Sequence, residues 1–569
     1  MRAVILDGYT DEPAGLGVPP YIDVYARYVA GAVWSVKPSA EVIYFTVDRA
    51  RKEFEVFIKT ASKADLVVFI AGVVVPGKYL GGVPITLDEL ARWPSLLDRP
   101  VKVLGGPAAR FGFGVEGGRL AKPPEFFESY FDVVARGDVE LVVKELLEED
   151  LRPERVDPCR LRRDYREVSE FAVKGARIVT QHPNHSINLI VEIETFRGCP
   201  RWVTGGCSFC IEPRYGRVVF RPVKDILREV RALYEHGVRC FRLGRQPDIL
   251  SYMARGVNDV EFPEPNPEAL EKLFYGVRKA APRLETLHID NVNPGTIAHH
   301  PQKSREALKV IVKYHTPGDV AAMGIESADP YVVKANNLKA YPEESLEAIR
   351  IVNEVGAARG WNGLPEILPG INFVMGLKGE SSRTFTYNLE FLRTILRKGW
   401  LVRRVNIRQV LPLPGTPMWL VGTRIVTKHK RLFKRFKETV RREFDRPMLK
   451  RLVPRGTVLR GLYVEAYEGG FSLARQPASY PLLTYVPVKL PLWTKLDVVV
   501  VDHGYRSVTA LPYPLNANTA PRRLLRYVPG LSEGKIARLL AARPLKSDKE
   551  LKEIVGAEAS KYLGLSGHP

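Results

Sequence analysis

Cysteine is scarce in this chain, with five in 569 residues. An odd, unevenly placed set of thiols excludes a disulfide framework; in a reducing compartment such a cluster points to metal or redox chemistry. Histidine is scarce too: there are ten, and none precedes His182, so no imidazole ligates anything in the first third of the chain. No run of eighteen apolar residues occurs. The longest, such as ADLVVFIAGVVV from Ala64, have the length of buried strands. The opening MRAVILDGYT contains no signal-peptide core, and fixed-period repeats and low-complexity tracts are missing. The expectation is a cytoplasmic protein with no membrane span. Acidic residues are outnumbered, giving a formal net charge of +21. A polyanionic partner follows as the first class to consider, because each phosphate neutralised by Lys or Arg releases a counterion.

What is present divides the chain. The expected fold class is multidomain α/β, and the length suits three or four domains. Residues 1–150 alternate β-branched runs (AVILDG, EVIYFTV, PVKVLGGP, FDVVARG) with amphipathic helices, the pattern of a doubly wound, Rossmann-type parallel sheet. Gly105-Gly106-Pro107 follows one strand, where such a sheet presents a ligand. The Gly- and Pro-rich loop DGYTDEPAGLGVPPY is a second candidate cleft lining. An Arg-, Asp- and Pro-rich linker follows. Residues 177–425 resume the alternation with six strands: NLIVEIET, VRCFRLG, TLHIDNV, VAAMGIES, GINFVMG and RRVNIRQV. Six βα units predict a partial or full α/β barrel with its chemistry at the C-terminal strand ends. Residues 426–455 read as a basic helical connector whose Leu432, Phe433, Phe436 and Val440 form one apolar face. Residues 456–511 read as a small β domain, and 512–569 as helical.

Three of the five cysteines, Cys199, Cys207 and Cys210, share the stretch ETFRGCPRWVTGGCSFCIEP. Structural zinc wants four ligands, usually in two close pairs. Only Cys207 and Cys210 make a pair, and Cys240, the available fourth, sits alone in a strand-like run. Three thiolates suit a [4Fe-4S] cluster with one iron left open, since each cubane iron takes one thiolate. From the residues alone, both arrangements stay open.

This stretch, after the first strand of a barrel and with Phe209 before the last cysteine, resembles the radical SAM enzymes over residues 185–420. FRLGRQPD stands at the second strand, MGIESADPYVVKANN is similar to the fifth-strand motif, INFVMGLKGES to the sixth-strand glycine motif, and NIRQVLPLPGTPM to the last strand of the Elongator and methylthiotransferase branches. The resemblance implies a [4Fe-4S] cluster on Cys199, Cys207 and Cys210. It also implies S-adenosylmethionine (SAM) on the open iron, cleaved reductively to a 5′-deoxyadenosyl radical that abstracts hydrogen. SAM-binding candidates on the matching motifs are Phe209, Gln246, Asn291, Glu326, Ser327 and Gly376. The family's usual spacing is C-x3-C-x2-C. Here seven residues separate Cys199 from Cys207, and they end in Gly205-Gly206, which lets a longer loop fold back.

The N-terminal domain resembles the cobalamin-binding domain upstream of many radical SAM proteins. Cobalamin is therefore a further cofactor to consider, held by its corrin and tail, since no histidine is there to ligate cobalt. PLNANTAPRRLLRYVPGLSEGKIARLLAARPLKS resembles a helix-hairpin-helix module, with Thr519 as N-cap, Pro521 in the first turn, and Gly530, Lys535 and Arg538 toward a nucleic-acid phosphate. Residues 456–511 are similar to the TRAM-like β-barrel of RNA-modifying relatives. The leading expectation is a radical SAM enzyme that modifies a nucleic acid, RNA favoured over DNA, with ferredoxin or flavodoxin as electron donor. Its rivals are a cobalamin-dependent radical methylase of a small molecule, lipid or protein, and a nucleic-acid-binding protein with a structural or redox-sensing cluster.

Overall fold

A computed structural model describes residues 1–10, 20–73 and 82–566. Most of the Gly- and Pro-rich loop after the first strand lies outside them. The first sheet is built from β1 (Arg2–Asp7), β3 (Glu41–Thr46), β4 (Leu66–Ile70), β5 (Val101–Gly105) and β6 (Val133–Val134) in the order β3-β1-β4-β5-β6, all parallel. Successive side chains of a strand point to opposite faces. Accordingly, Ala3 and Ile5 pack in one core with the helix Val24–Val36, and Val4 and Leu6 in another with Phe57 of the helix Phe54–Ala61. A parallel sheet covered on both faces reads as continuous hydrophobic runs, as these strands do. β2 (Tyr21–Ile22) does not join this sheet.

The second unit is an open barrel of six parallel strands: β7 (Ile190–Glu194), β10 (Cys240–Gly244), β11 (Thr286–Ile289), β12 (Asp319–Glu326), β13 (Ile367–Met375) and β14 (Arg404–Gln409). Ladders join β11-β10-β7 and β12-β13-β14, and a bridge from Asn291 to Ala322 links the two groups. These are the six strands read from the sequence. Between β7 and β10 a two-residue hairpin, β8 (Phe196–Arg197) with β9 (Val219–Phe220), closes the cysteine loop at its base.

The N-terminal unit spans the open side. β2 pairs in parallel with β7 through Tyr21 and Ile22, while Gly118 and Ala121 donate their N–H groups to the carbonyls of Val410 and Pro412 just beyond β14. Arg27, fully buried on the helix Val24–Val36, ion-pairs with the buried Glu229 of the barrel helix Val223–Glu235, which also pairs with the buried Arg221. Arg221 donates in turn to the Tyr28 hydroxyl at 3.1 Å. The segment expected as a linker is a packed element instead: the helix Arg166–Lys174 buries Val168, Phe171 and Ala172 against Val24–Val36. The side chain of Arg162 in the same segment is also buried, paired with Asp138, Glu140 and Glu194.

After the barrel, a basic helix runs from Arg424 to Val440 and continues to Leu452, with Phe436 and Val440 buried and Leu432 and Phe433 packed against the core. β15 (Val458–Glu468), β16 (Phe471–Arg475), β17 (Leu483–Val486), β18 (Lys495–His503) and β19 (Ser507–Pro512) close a small barrel in the order β15-β16-β17-β19-β18. The last segment holds short helices, Arg522–Leu525, Glu533–Ala541 and Asp548–Val555. The first starts one residue after Pro521, which is its N-cap without a side-chain bond; Thr519, expected to cap it, lies outside. Among the described residues no helix is long and apolar enough to cross a membrane.

Breaking a buried ion pair by removing one partner costs about 3–5 kcal/mol, because the remaining charge stays buried and unpaired. Glu229→Gln, which strands two guanidinium groups, is expected to lower the unfolding midpoint accordingly and to speed hydrogen exchange in Val24–Val36; an unchanged midpoint would show that the triad does not join the units.

Candidate functional site

The cysteine loop leaves the C-terminal end of β7. Cys199 precedes a 3₁₀ turn, Pro200–Thr204, and Gly205 and Gly206 follow at φ 82° and 68°. Left-handed backbone is open to glycine at no steric cost, so these two residues reverse the chain and return Cys207 toward Cys199. Cys199 and Cys207 are buried and Cys210 is half-buried. The three thiols influence one another's ionisation: Cys207 raises the pKa of both Cys199 and Cys210, on top of the larger effect of burial. Burial pushes Cys199 up to about 12. The free thiols therefore hold their protons, and a metal centre would have to displace them.

Two cations oppose that burial. Arg201, buried within the loop, donates from Nη1 to Cys207 Sγ at 2.9 Å and pairs with Glu261 at 2.6 Å. Lys339 lowers the pKa of Cys199 and Cys207, and all three cysteines in turn raise its own. Asn336 and Asn337 fix the loop to the segment after β12. Ser208 donates to the Asn336 side chain at 2.7 Å, and Asn337 Nδ2 donates to the carbonyls of Thr204 and Gly206 at 3.0 and 2.9 Å. None of Arg201, Asn336, Asn337 and Lys339 was picked out as a site residue from the sequence. The two asparagines lie inside the quoted fifth-strand motif, and a lone arginine between cysteines was the available signal for Arg201.

Glu326 ends β12 at a bulge and adopts φ 65°. Such backbone is uncommon outside glycine and turns the side chain off the strand's alternation. Burial lifts its carboxyl pKa to about 7, opposed by the Lys339 ammonium at 3.9 Å. A Cβ on Gly324 would run into both the Glu326 carboxylate and the Lys339 ammonium, so that glycine leaves the space the pair occupies. Phe209 packs beside Cys207 and Cys210 in an apolar cluster with Val332, Leu377, Val410, Met418 and Val426. Gly376, just past β13, lies against Val426 of the same cluster and donates its N–H to Glu380 at 2.6 Å.

The remaining expected residues lie on the same rim without contacting the cysteines. Gln246 is buried and spent internally, accepting from Thr195 at 3.0 Å and donating to the Leu243 carbonyl at 2.9 Å. Asn291 donates to the Gln246 carbonyl at 3.3 Å, and the Ser327 hydroxyl accepts from the Asp329 N–H at 3.1 Å. Cys240 is no fourth ligand. It starts β10 opposite Ile190, four residues or about 13 Å of strand below the rim, and it belongs to the N-terminal core. In the C-terminal helices, Lys535 donates to the carbonyls of Val555 and Gly530 at 2.9 and 3.4 Å. Gly530 has φ 76° and faces Glu558, while Arg538 is exposed.

Among the described residues no group of His, Cys, Asp and Glu converges on a single metal ion. A cubane distributes its thiolates over separate irons. Three cysteines with no fourth protein donor, compensated by Arg201 and Lys339, fit such a cluster with one iron left without a protein ligand. The N-terminal unit reaches this rim directly: Phe111 meets Tyr215 of the cysteine loop edge-on at 5.1 Å, and Arg110 stacks over Tyr215 at 4.4 Å.

The family model for the radical SAM superfamily matches residues 193–392. The uncharacterized protein MJ0274 of Methanocaldococcus jannaschii is 49% identical over 89% of this chain and 92% of its own. A protein of Archaeoglobus fulgidus is 45% identical over the full length of both. A tRNA-2-methylthio-N(6)-dimethylallyladenosine synthase of Cereibacter sphaeroides is 28% identical over 35% of this chain and 38% of its own. Among solved structures, the radical S-adenosylmethionine methyltransferase TsrM of Kitasatospora setae aligns at 15% identity with a TM-score of 0.47, over 73% of this chain and 74% of that one.

Glu326 supplies a pH test in the apoprotein. Its folded pKa of about 7 exceeds the usual 4.5, so the folded state binds the proton more tightly, and stability falls as pH rises from about 4.5 through 7. In urea titrations at pH 5 and pH 8, Glu326→Gln is expected to lose that fall, on the order of 3 kcal/mol by linkage. Parallel curves for the two proteins would show that Glu326 ionises freely.

Proposed function

Because the chain belongs to one family with the two archaeal proteins, and to the radical SAM superfamily through residues 193–392, we propose that it is a radical SAM enzyme that modifies RNA. One observation carries the choice of substrate: a closed small barrel is fixed to the catalytic barrel in a chain with 21 surplus positive charges. Small barrels on a cationic surface suit backbone contact with a polyanion. The similarity to the tRNA-modifying synthase over the catalytic third supports the same class.

Cys199, Cys207 and Cys210 would hold the cluster, and Arg201 and Lys339 would stabilise their thiolates. What the cluster supplies when bound is an electron for cleaving SAM to a species that takes hydrogen from carbon; ferredoxin or flavodoxin is the donor class. Phe209 and the apolar cluster around it keep water from that side of the rim. Glu326 and the half-buried Lys339, an opposite-charge pair at the end of β12, would pair with the zwitterionic part of SAM, and Gly376 would leave room for its base. The exposed Arg538 remains available for phosphate in the C-terminal helices, whereas Lys535 is engaged.

A second reading has its own observation. The five-stranded sheet turns toward the cysteine loop through Phe111 and Arg110, which is where a cobalamin between the two units would work. Residues 11–19, which follow β1 in the chain, and 74–81, which follow β4, lie outside those described. Stoichiometric corrin after reconstitution, with methyl transfer to a non-RNA acceptor, would favour that reading.

Anaerobically reconstituted protein, given SAM and dithionite, is expected to form 5′-deoxyadenosine faster with total tRNA than without. Cys207→Ala should lose bound iron and form none. Cleavage indifferent to RNA would remove RNA as substrate while retaining the chemistry.

A further inference from the structure

At the lower end of β14 the catalytic barrel, the basic helix and the small barrel surround a small, partly open cavity of about 50 Å³. It is remote from the cysteines: Arg404 opens β14, and Val410, which packs with Cys207, lies six residues or about 20 Å of strand further on. Its lining includes the apolar Phe444, Met448 and Leu482 together with Arg403, Arg404 and Arg506.

These cations are poorly neutralised. Arg475, also on the wall, has its own buried partner in Glu465. Arg403 donates one Nη to the Tyr480 carbonyl at 2.8 Å, and its buried Nε has no hydrogen-bond partner. Arg404 lies over the Tyr480 ring at 4.2 Å, and the Tyr480 hydroxyl donates to Asp290 at 2.8 Å. Asp445 is the lining carboxylate that acts on Arg506, and Arg441 opposes it. Burial pulls Arg404 down to about 9 and Arg403 to about 10, with Arg506 lowering both. Arg506 and Arg441 likewise lower Lys437 on the basic helix, so the positive field continues from the cavity onto that helix. Three forked donors around one space match the oxygens of a phosphate, which accepts two parallel bonds from each guanidinium.

We propose that this cavity binds a phosphate group through Arg403, Arg404 and Arg506. The phosphate belongs either to an RNA backbone, which would deepen the reading above by anchoring the substrate away from the reacting base, or to a free nucleotide. Phosphate bridges the guanidinium groups at a site where Arg403, Arg404 and Arg506 outnumber the carboxylates that act on them, Asp445 and Asp290.

The test measures binding of a fluorescent single-stranded RNA and, separately, of AMP and inorganic phosphate to the full chain at fixed ionic strength. Arg506→Gln, in the turn between β18 and β19, and Arg404→Gln are each expected to weaken binding about 10-fold, the loss typical of one charge-assisted bond. Lys434→Gln, on the exposed face of the basic helix, serves as the comparison for unspecific charge, and unfolding midpoints verify that each variant is folded. RNA bound tightly with AMP a weak competitor assigns the phosphate to RNA. AMP bound tightly with RNA ignored supports the cavity and removes the RNA reading. If folded Arg506→Gln loses no more affinity than Lys434→Gln for any of the three ligands, the proposal is overturned.

Discussion

A parallel sheet that curls into a barrel without closing leaves two unpaired edges and a polar interior, and both must be covered. That constraint organises this molecule. β7 is completed by β2, and the chain beyond β14 by the backbone of Gly118 and Ala121. The same N-terminal unit thus grips both sides of the seam, and the Arg27–Glu229–Arg221 triad fixes its helix to the barrel. From below, Ser479 donates its N–H to His288 at 3.1 Å and Tyr480 reaches Asp290, so the small barrel docks against the interior of β11. The cysteine loop stands on the rim that these two additions leave.

Charge compensation sets the character of that rim. Burial penalises a thiolate, and the loop answers with a guanidinium on Cys207 Sγ and an ammonium beside all three sulfurs. The same Lys339 meets Glu326, so one cation couples the cysteine loop to the end of β12. A strained backbone at Glu326 accords with this, since φ 65° persists only where its surroundings fix it.

Much of this was legible in the sequence. All six barrel strands stand out as short runs between amphipathic helical stretches. The cysteines announced themselves by rarity. Arg201, Asn336, Asn337 and Lys339 did not, because a residue that braces another has no chemistry of its own to advertise. β2 escaped because two residues carry no period. The stretch 148–168 reads as a linker because charged residues and proline dominate its composition, although the Arg162 side chain and Val168 within it are buried. Gln246 and Lys535 each stand on a recognisable motif, and both make hydrogen bonds within the fold.

The pairing of β2 with β7 also has a temporal side. Tyr21 leaves the ribosome long before Ile190, its partner. At roughly 5–20 residues per second, the Val24–Val36 helix waits on the order of ten seconds or more with its barrel-facing side uncovered. Arg27 lies on that side. A cation there keeps the half-made surface hydrated until Glu229 is synthesised, whereas a leucine would make the same surface adhesive to neighbouring nascent chains.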